Sequence, residues 1–357
     1  MRTSNKQWHE RVVITVENGE TVDAHHASEI AGQTCNDVVA VNNGEMIEAQ
    51  APVIISASRS TDVPAFYAEW FIERLRSGYV VWKNPFNQQQ MYVSFKNCKV
   101  IVFWTKNPKP LMPFLQELDE RGIHYYFQFT LNDYEKEGFE PNLPPFGERI
   151  ETFRELSARI GREKVIWRFD PMIVTPWLSP CELLKRVRET GNLLRNYTDK
   201  LVFSFVDIDI YRKVQRNLIR VTSHFSEKTI HRAELTIEQK IEIAEGLKDI
   251  RACWKREEWG ISLATCTEMV DLEQYGIQHN RCIDGELMKR LFQEDTALVH
   301  YLNYGTLLND SSLLPLSVEK MKDKGQRKAC GCMVSKDIGM YGTCRHFCVY
   351  CYATSVK

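Results

Sequence analysis

Val165-Ile166-Trp167-Arg168-Phe169-Asp170-Pro171 is the stretch on which the fold turns. It is a short apolar run rich in β-branched and aromatic residues, as a strand buried on both faces of a parallel sheet should be. Two charges alternate with the apolar residues near its end. Side chains two apart share a face of a strand, so Arg168 and Asp170 point together toward one side, the interior of a barrel. A charge held there must be paired or bound to a ligand, which makes these two residues candidates for lining a site.

Similar runs recur on both sides of it. VIISAS (53–58), VIVFWT (100–105), YYFQFT (125–130), LVFSFV (201–206) and ISLAT (261–265) complete a set of six. Stretches with helical punctuation separate them. Pro64 to Arg76 opens on a proline and stops at Gly78. Lys109 to Arg121 ends before Gly122, and Glu148 to Ile160 ends before Gly161. Pro180 to Asn196 follows Ser179 as an N-cap, and the amphipathic stretch Thr236 to Trp254 precedes the sixth strand. Alternating strands and helices imply parallel strands joined by right-handed crossovers. The fold class expected is α/β, a partial (β/α)6 TIM-like barrel, with a complete eight-stranded barrel as the alternative.

In such a barrel the functional groups gather on the loops at the C-terminal ends of the strands. Arg59, Ser60, Thr61 and Asp62 follow the first strand, Lys106 and Asn107 the second, and Asn132 and Asp133 the third. Asp207 and Asp209 follow the fifth, and Cys266 and Glu268 the sixth. Arg59 and Lys106 suit a carboxylate or phosphate, and Glu268 suits an amine or ribose hydroxyls. Loops are polar in any protein, so each residue alone is more often solvated than functional.

Cysteine usage points to metal. Of the chain's 11 cysteines, five fall in the last twenty-eight residues, CGCMVSKDIGMYGTCRHFCVYCYATSVK (330–357). Cys344, Cys348 and Cys351 are spaced Cys-x3-Cys-x2-Cys, and Cys330 and Cys332 form a pair upstream. A short loop offering three thiolates suits three corners of an iron–sulfur cube, leaving the fourth iron open to another ligand. Tyr350 and Tyr352 would cover the cluster, and the basic run KMKDKGQRK (320–328) would offset its charge or touch a phosphate. Cys330 or Cys332 filling the fourth corner would instead close the cluster. Structural zinc on Cys330, Cys332, Cys348 and Cys351 is a rival that leaves Cys344 unexplained. A further reading joins Cys266 and Cys282 with Cys330 and Cys332 into a second, fully ligated [4Fe–4S] cluster. The bland alternative makes Cys266 and Cys282 buried small hydrophobes.

The tail run TCRHFCVYCYA resembles the cluster motif of radical S-adenosylmethionine (SAM) enzymes of the spore photoproduct lyase type. The segments VIISASRSTDVPAFYAEWF, VVWKNPFN, VFWTKNP, YYFQFTLNDYE, VIWRFDP, TCTE and CID, together with the cysteine tail, resemble a bacterial family of unknown function, DUF1848, from about Pro52 to Ala353. What the first resemblance implies is a radical SAM-like enzyme whose [4Fe–4S] cluster starts radical chemistry on a small-molecule or nucleotide-type substrate. Arg59, Lys106, Arg168, Asp170 and Glu268 would then position SAM or substrate, and an electron donor such as flavodoxin or ferredoxin would reduce the cluster. Two features depart from the radical SAM pattern: the cysteine loop ends the chain instead of following the first strand, and no Gly-Gly-Glu run is present. They keep two alternatives in play, a non-SAM iron–sulfur protein for electron transfer or Lewis-acid chemistry, and a zinc-stabilised binding module.

Composition bounds the rest. A chain of 357 residues, 43% hydrophobic and 11% aromatic, can bury a substantial core. A net charge of −1 gives no bulk attraction to nucleic acid or an anionic membrane. No apolar run is long enough to span a bilayer, and the N-terminus lacks a signal-peptide core, so a cytoplasmic protein with reduced thiols is expected. Residues 1–51 read as an accessory segment with a hairpin at Asn18-Gly19 and a solvated His25-His26 pair. Residues 52–281 read as the barrel, within which VVWKNPFNQQQMYVSF forms a strand pair, and residues 282–357 as a helical extension leading into the cysteine-rich tail.

Overall fold

The computed structural model describes residues 9–15, 46–307, 315–317, 319–327 and 329–354. The Asn18-Gly19 turn, His25, His26 and Cys35 lie outside the described residues. Two sheets organise the chain. The smaller has four strands, β1 (Glu10–Thr15), β2 (Met46–Ala51), β4 (Tyr79–Lys83) and β5 (Gln90–Ser94), in the order β1-β2-β5-β4. The β4–β5 pair is antiparallel, as the alternation around Asn84-Pro85 predicts.

The larger sheet holds all six expected strands: β3 (Ile54–Ala57), β6 (Val100–Thr105), β7 (His124–Thr130), β8 (Val165–Met172), β9 (Lys200–Phe205) and β10 (Ser262–Thr265). Two short strands extend it, β11 (Ile277–His279) beside β10 and β12 (Lys336–Asp337) beside β3. The eight strands are parallel throughout and run β11-β10-β9-β8-β7-β6-β3-β12. Among the described residues no hydrogen bonds join β11 to β12. The sequence reading missed both edge strands because runs of two and three residues have no period to detect.

Two cores follow from strand alternation. Ile55, Ile101, Phe103, Phe127, Phe129, Trp167 and Phe203 face the helices that connect the strands. Ile54, Val100, Val102, Tyr126, Ile166, Val202 and Ala264 face the other way, onto residues of the 282–302 and 321–333 segments. The helices form where the signals placed them, with local corrections. Ser179 caps Pro180–Leu193 by accepting the Glu182 N–H at 3.3 Å. Thr236 and Gln239 form a reciprocal capping box on Ile237–Arg256. The expected helix from Pro64 divides at Tyr67 into Val63–Phe66 and Ala68–Ser77, and the Tyr67 hydroxyl donates to the Thr343 carbonyl at 2.7 Å. The expected helix from Lys109 shrinks to a turn at Met112–Phe114 and a short helix at Leu115–Glu120. Pro113 lacks the N–H that a helix starting at Lys109 would bond to the Lys109 carbonyl, and its ring would crowd that carbonyl.

No helix among the described residues is long and apolar enough to cross a membrane.

Candidate functional site: a cysteine-lined cavity at the strand ends

Along the inward face, the one turned away from the connecting helices, each strand changes character at the same level. Val102 gives way to Trp104, Tyr126 to Gln128, Ile166 to Arg168 and Asp170, Val202 to Ser204, and Ala264 to Cys266. Because these residues are two apart, they share one face, and its apolar floor ends in a polar layer. Above that layer lies a cavity of about 500 Å³. Arg59, Lys106, Arg168 and Asp170 line it, and so do all seven of the cysteines singled out in the sequence. Glu268 is not among the lining residues. Its carboxylate pairs with Lys240 at 3.1 Å and accepts the backbone N–H groups of Met269 and Val270.

The Arg168–Asp170 pair is buried and direct. Arg168 Nη2 stands 2.6 Å from Asp170 Oδ2, and Arg168 Nη1 donates to Gln128 Oε1 at 3.1 Å and Cys282 Sγ at 3.2 Å. Burial pushes the Asp170 carboxyl up, but Arg168 and a hydrogen bond from Ser204 overrule it and hold the group below the usual carboxylate range. The indole of Trp104 meets two guanidinium groups, with Arg59 at 5.4 Å and Arg168 at 5.3 Å from its ring centre.

The tail is threaded into this site by buried polar contacts. Asp337 of β12 accepts from Ser58 Oγ at 2.6 Å and from the Arg59 and Gly339 N–H groups, tying the tail to the tip of β3. Asp62 accepts from the Lys106 N–H at 2.7 Å and lies 2.8 Å from His346 Nε2, between the first two cysteines of the tail loop. Tyr350 joins Lys106 Nζ at 2.8 Å and Asn132 Nδ2 at 3.0 Å, and all three bond to the buried carboxylate of Glu140. Burial opposes ionisation of Glu140, but Lys106 and Arg149 outweigh it and leave its carboxyl below the ordinary value. Glu140, His346 and Asp337 escaped the sequence reading. Each lies in a loop or tail without periodicity, and only its tertiary hydrogen bonds mark it.

Cys344, Cys348 and Cys351 form one group of thiols in the cavity wall, with Lys106 acting on Cys348. Burial raises the Cys344 thiol to about 12 and Cys348 well above its ordinary value. Such thiols stay protonated unless a metal displaces the proton. Cys266, Cys282, Cys330 and Cys332 form the other group, in which Cys266 Sγ and Cys282 Sγ are 3.5 Å apart. No three His, Cys, Asp or Glu side chains among the described residues converge on a point where a single metal ion would sit. A cube would spread its thiolates over separate corners, as a cavity wall can. Three lining side chains also carry buried polar atoms without a partner: Arg59 Nη2, Thr61 Oγ1 and His346 Nδ1. Buried polar groups are nearly always satisfied, so atoms left open around one cavity fit a site that receives a ligand.

Fold and site together define an α/β protein with a large parallel sheet and a thiol-rich cavity at the strand ends. The chain belongs to the family described as Domain of unknown function (DUF1848), whose pattern matches residues 54–353. No curated protein and no solved structure gives a significant match.

Proposed function

We propose that this chain is an iron–sulfur protein holding a [4Fe–4S] cluster on Cys344, Cys348 and Cys351, and that it acts as a radical SAM-like enzyme. The observation that carries this reading is the shared cavity: the tail loop's three thiols line the same space as Arg59, Lys106, Arg168 and Asp170. The donor set fits the group, since three thiols from one loop leave a corner open and Lys106 offsets negative charge beside Cys348. When bound, such a cluster supplies a single electron, to SAM in this reading.

The chain's own residues do the rest. The large sheet curls into a partial TIM-like barrel whose polar rim positions the ligand. Arg59, with one terminal nitrogen unpaired, binds a carboxylate or phosphate of SAM or of a small-molecule or nucleotide-type substrate. Arg168 and Asp170 hold each other in place below it. Tyr350 and its partners Lys106, Asn132 and Glu140 anchor the cysteine loop and keep water from its inner side. A flavodoxin or ferredoxin would deliver the electron.

The test is iron and acid-labile sulfide in protein purified without oxygen, before and after Cys348→Ala, with EPR in the presence and absence of SAM. Iron and sulfide lost in the variant, a SAM-dependent change of spectrum and 5′-deoxyadenosine after reduction are the expected results. A cluster that Cys348→Ala depletes but SAM leaves unchanged would instead favour a non-SAM iron–sulfur protein, the reading that the missing Gly-Gly-Glu run supports. Zinc without iron or sulfide would overturn both.

A further inference from the structure

A second group of thiols in the cavity has chemistry of its own. It is assembled from three separate segments: Cys266 at the end of β10, Cys282 after β11, and Cys330 and Cys332 in the strap that leads to the tail. Cys266 Sγ lies 3.5 Å from Cys282 Sγ, Cys332 Sγ accepts the Cys282 backbone N–H at 3.3 Å, and Cys330 lines the same cavity two residues before Cys332. Parts of the sequence far apart thus bring four sulfurs to one side of the cavity. Cys282, Cys330 and Cys332 are 3%, 7% and 2% exposed, and Cys266 is half-buried beside them.

Burial alone would make these cysteines small apolar fillers, and fillers sit among carbon atoms. These do not. Cys282 Sγ accepts hydrogen bonds from the Arg168 guanidinium at 3.2 Å and from Asn280 Nδ2 at 3.1 Å. Cys332 Sγ accepts the backbone N–H groups of Cys282 at 3.3 Å and Ile283 at 3.4 Å. A neutral thiol is a weak acceptor, whereas N–H groups converging on sulfur are what metal-bound thiolates receive and what tunes their potential. Four donors aimed at two sulfurs, one of them a buried cation, prepare the place for negative charge.

We infer that Cys266, Cys282, Cys330 and Cys332 form a second, fully thiolate-ligated metal centre, distinct from the tail loop. Each thiol releases its proton to solvent on binding. The centre takes iron and sulfide as a closed cluster, since no three of these side chains converge on a point where a single ion would sit. With four protein ligands it has no open position, so it does not bind substrate. Its position fastens the 321–333 strap to the segment that follows β11, where Met333 N–H already donates to the Ile283 carbonyl at 3.0 Å.

Two variants of the full chain, purified without oxygen, test this apart from the tail cluster. Cys344→Ala/Cys348→Ala/Cys351→Ala removes the tail ligands, and Cys266→Ser/Cys332→Ser removes half of the second set. The tail variant should retain one iron–sulfur centre per chain, with iron and acid-labile sulfide in roughly equal amounts. The second variant should lose that amount and keep the remainder. A tail variant without iron and sulfide, or undiminished iron in Cys266→Ser/Cys332→Ser, would overturn the inference while leaving the tail cluster standing. Where the second variant fails to fold, the wild type decides. Iodoacetamide labelling mapped by mass spectrometry should reach the four cysteines only after a chelator has removed the metal, and labelling unchanged by metal removal would overturn the inference.

Discussion

The two faces of the large parallel sheet are built from the same strands by the same alternation, yet they bury different things. The outward face meets helices with aromatic and aliphatic side chains, from Phe103 and Phe127 through Trp167 to Phe203. The inward face starts apolar at Val102 and Ile166 and ends in Arg168, Asp170, Ser204 and Cys266. The outward face is a packing surface, where cost follows volume. The inward face at the strand ends is a polar cavity wall, where cost follows unpaired charge.

Substitutions on either side can break that distinction. Trp167→Ala on the outward face should cost about 3–5 kcal/mol in urea unfolding, since the ring is fully buried and its N–H donates to the Leu131 carbonyl at 3.0 Å. Metal per folded chain should not change, and a loss of metal equal to that of an inward-face variant would erase the contrast.

Arg168→Leu on the inward face should cost a similar or slightly smaller amount, about 3–5 kcal/mol, because Asp170 is left charged and unpaired. The double variant Arg168→Leu/Asp170→Leu should recover part of that loss. Urea midpoints of the two variants give the comparison, and a double variant no more stable than the single would show that packing, not charge, sets the cost there.

Acid should act on the inward face first. Asp170 and Glu140 have folded values held below those of the unfolded chain, so the stability they contribute is fully present above the ordinary carboxylate range. It is lost as pH falls through that range toward the folded values. Unfolding midpoints between pH 7 and pH 3 should therefore decline less steeply in Glu140→Gln than in the wild type. An identical slope would remove Glu140 from the account.

The smallest effect belongs to a helix on the outward face. Thr236→Ala removes the capping box of Ile237–Arg256 and should cost about 1 kcal/mol in the same unfolding assay, with metal content untouched.

Much of this arrangement was legible in the residues. The alternation in VIWRFDP put Arg168 and Asp170 on one face, and the structure pairs them at the cavity wall. Ser179, Thr236 and Gly78 marked helix ends that the structure keeps. Glu268 stands outside the cavity lining, because a strand-end position is compatible with a site or with a local ion pair, and Lys240 on the helix that precedes β10 supplies the pair. The helix Arg212–Val221 had no advance signal of a cap and was not anticipated.

The sequence by itself determined the parallel α/β class, the six principal strands and the candidate thiols, because those depend on periodicity and local spacing. Only the tertiary structure decided that the tail adds an edge strand beside β3, that Glu140 and Asp62 secure it through Tyr350 and His346, and that cysteines from residue 266 to residue 351 line one cavity. Those contacts join residues up to 284 positions apart. No local pattern encodes such pairs; burial selects them, because a polar group taken from water must find its partner wherever the fold brings one.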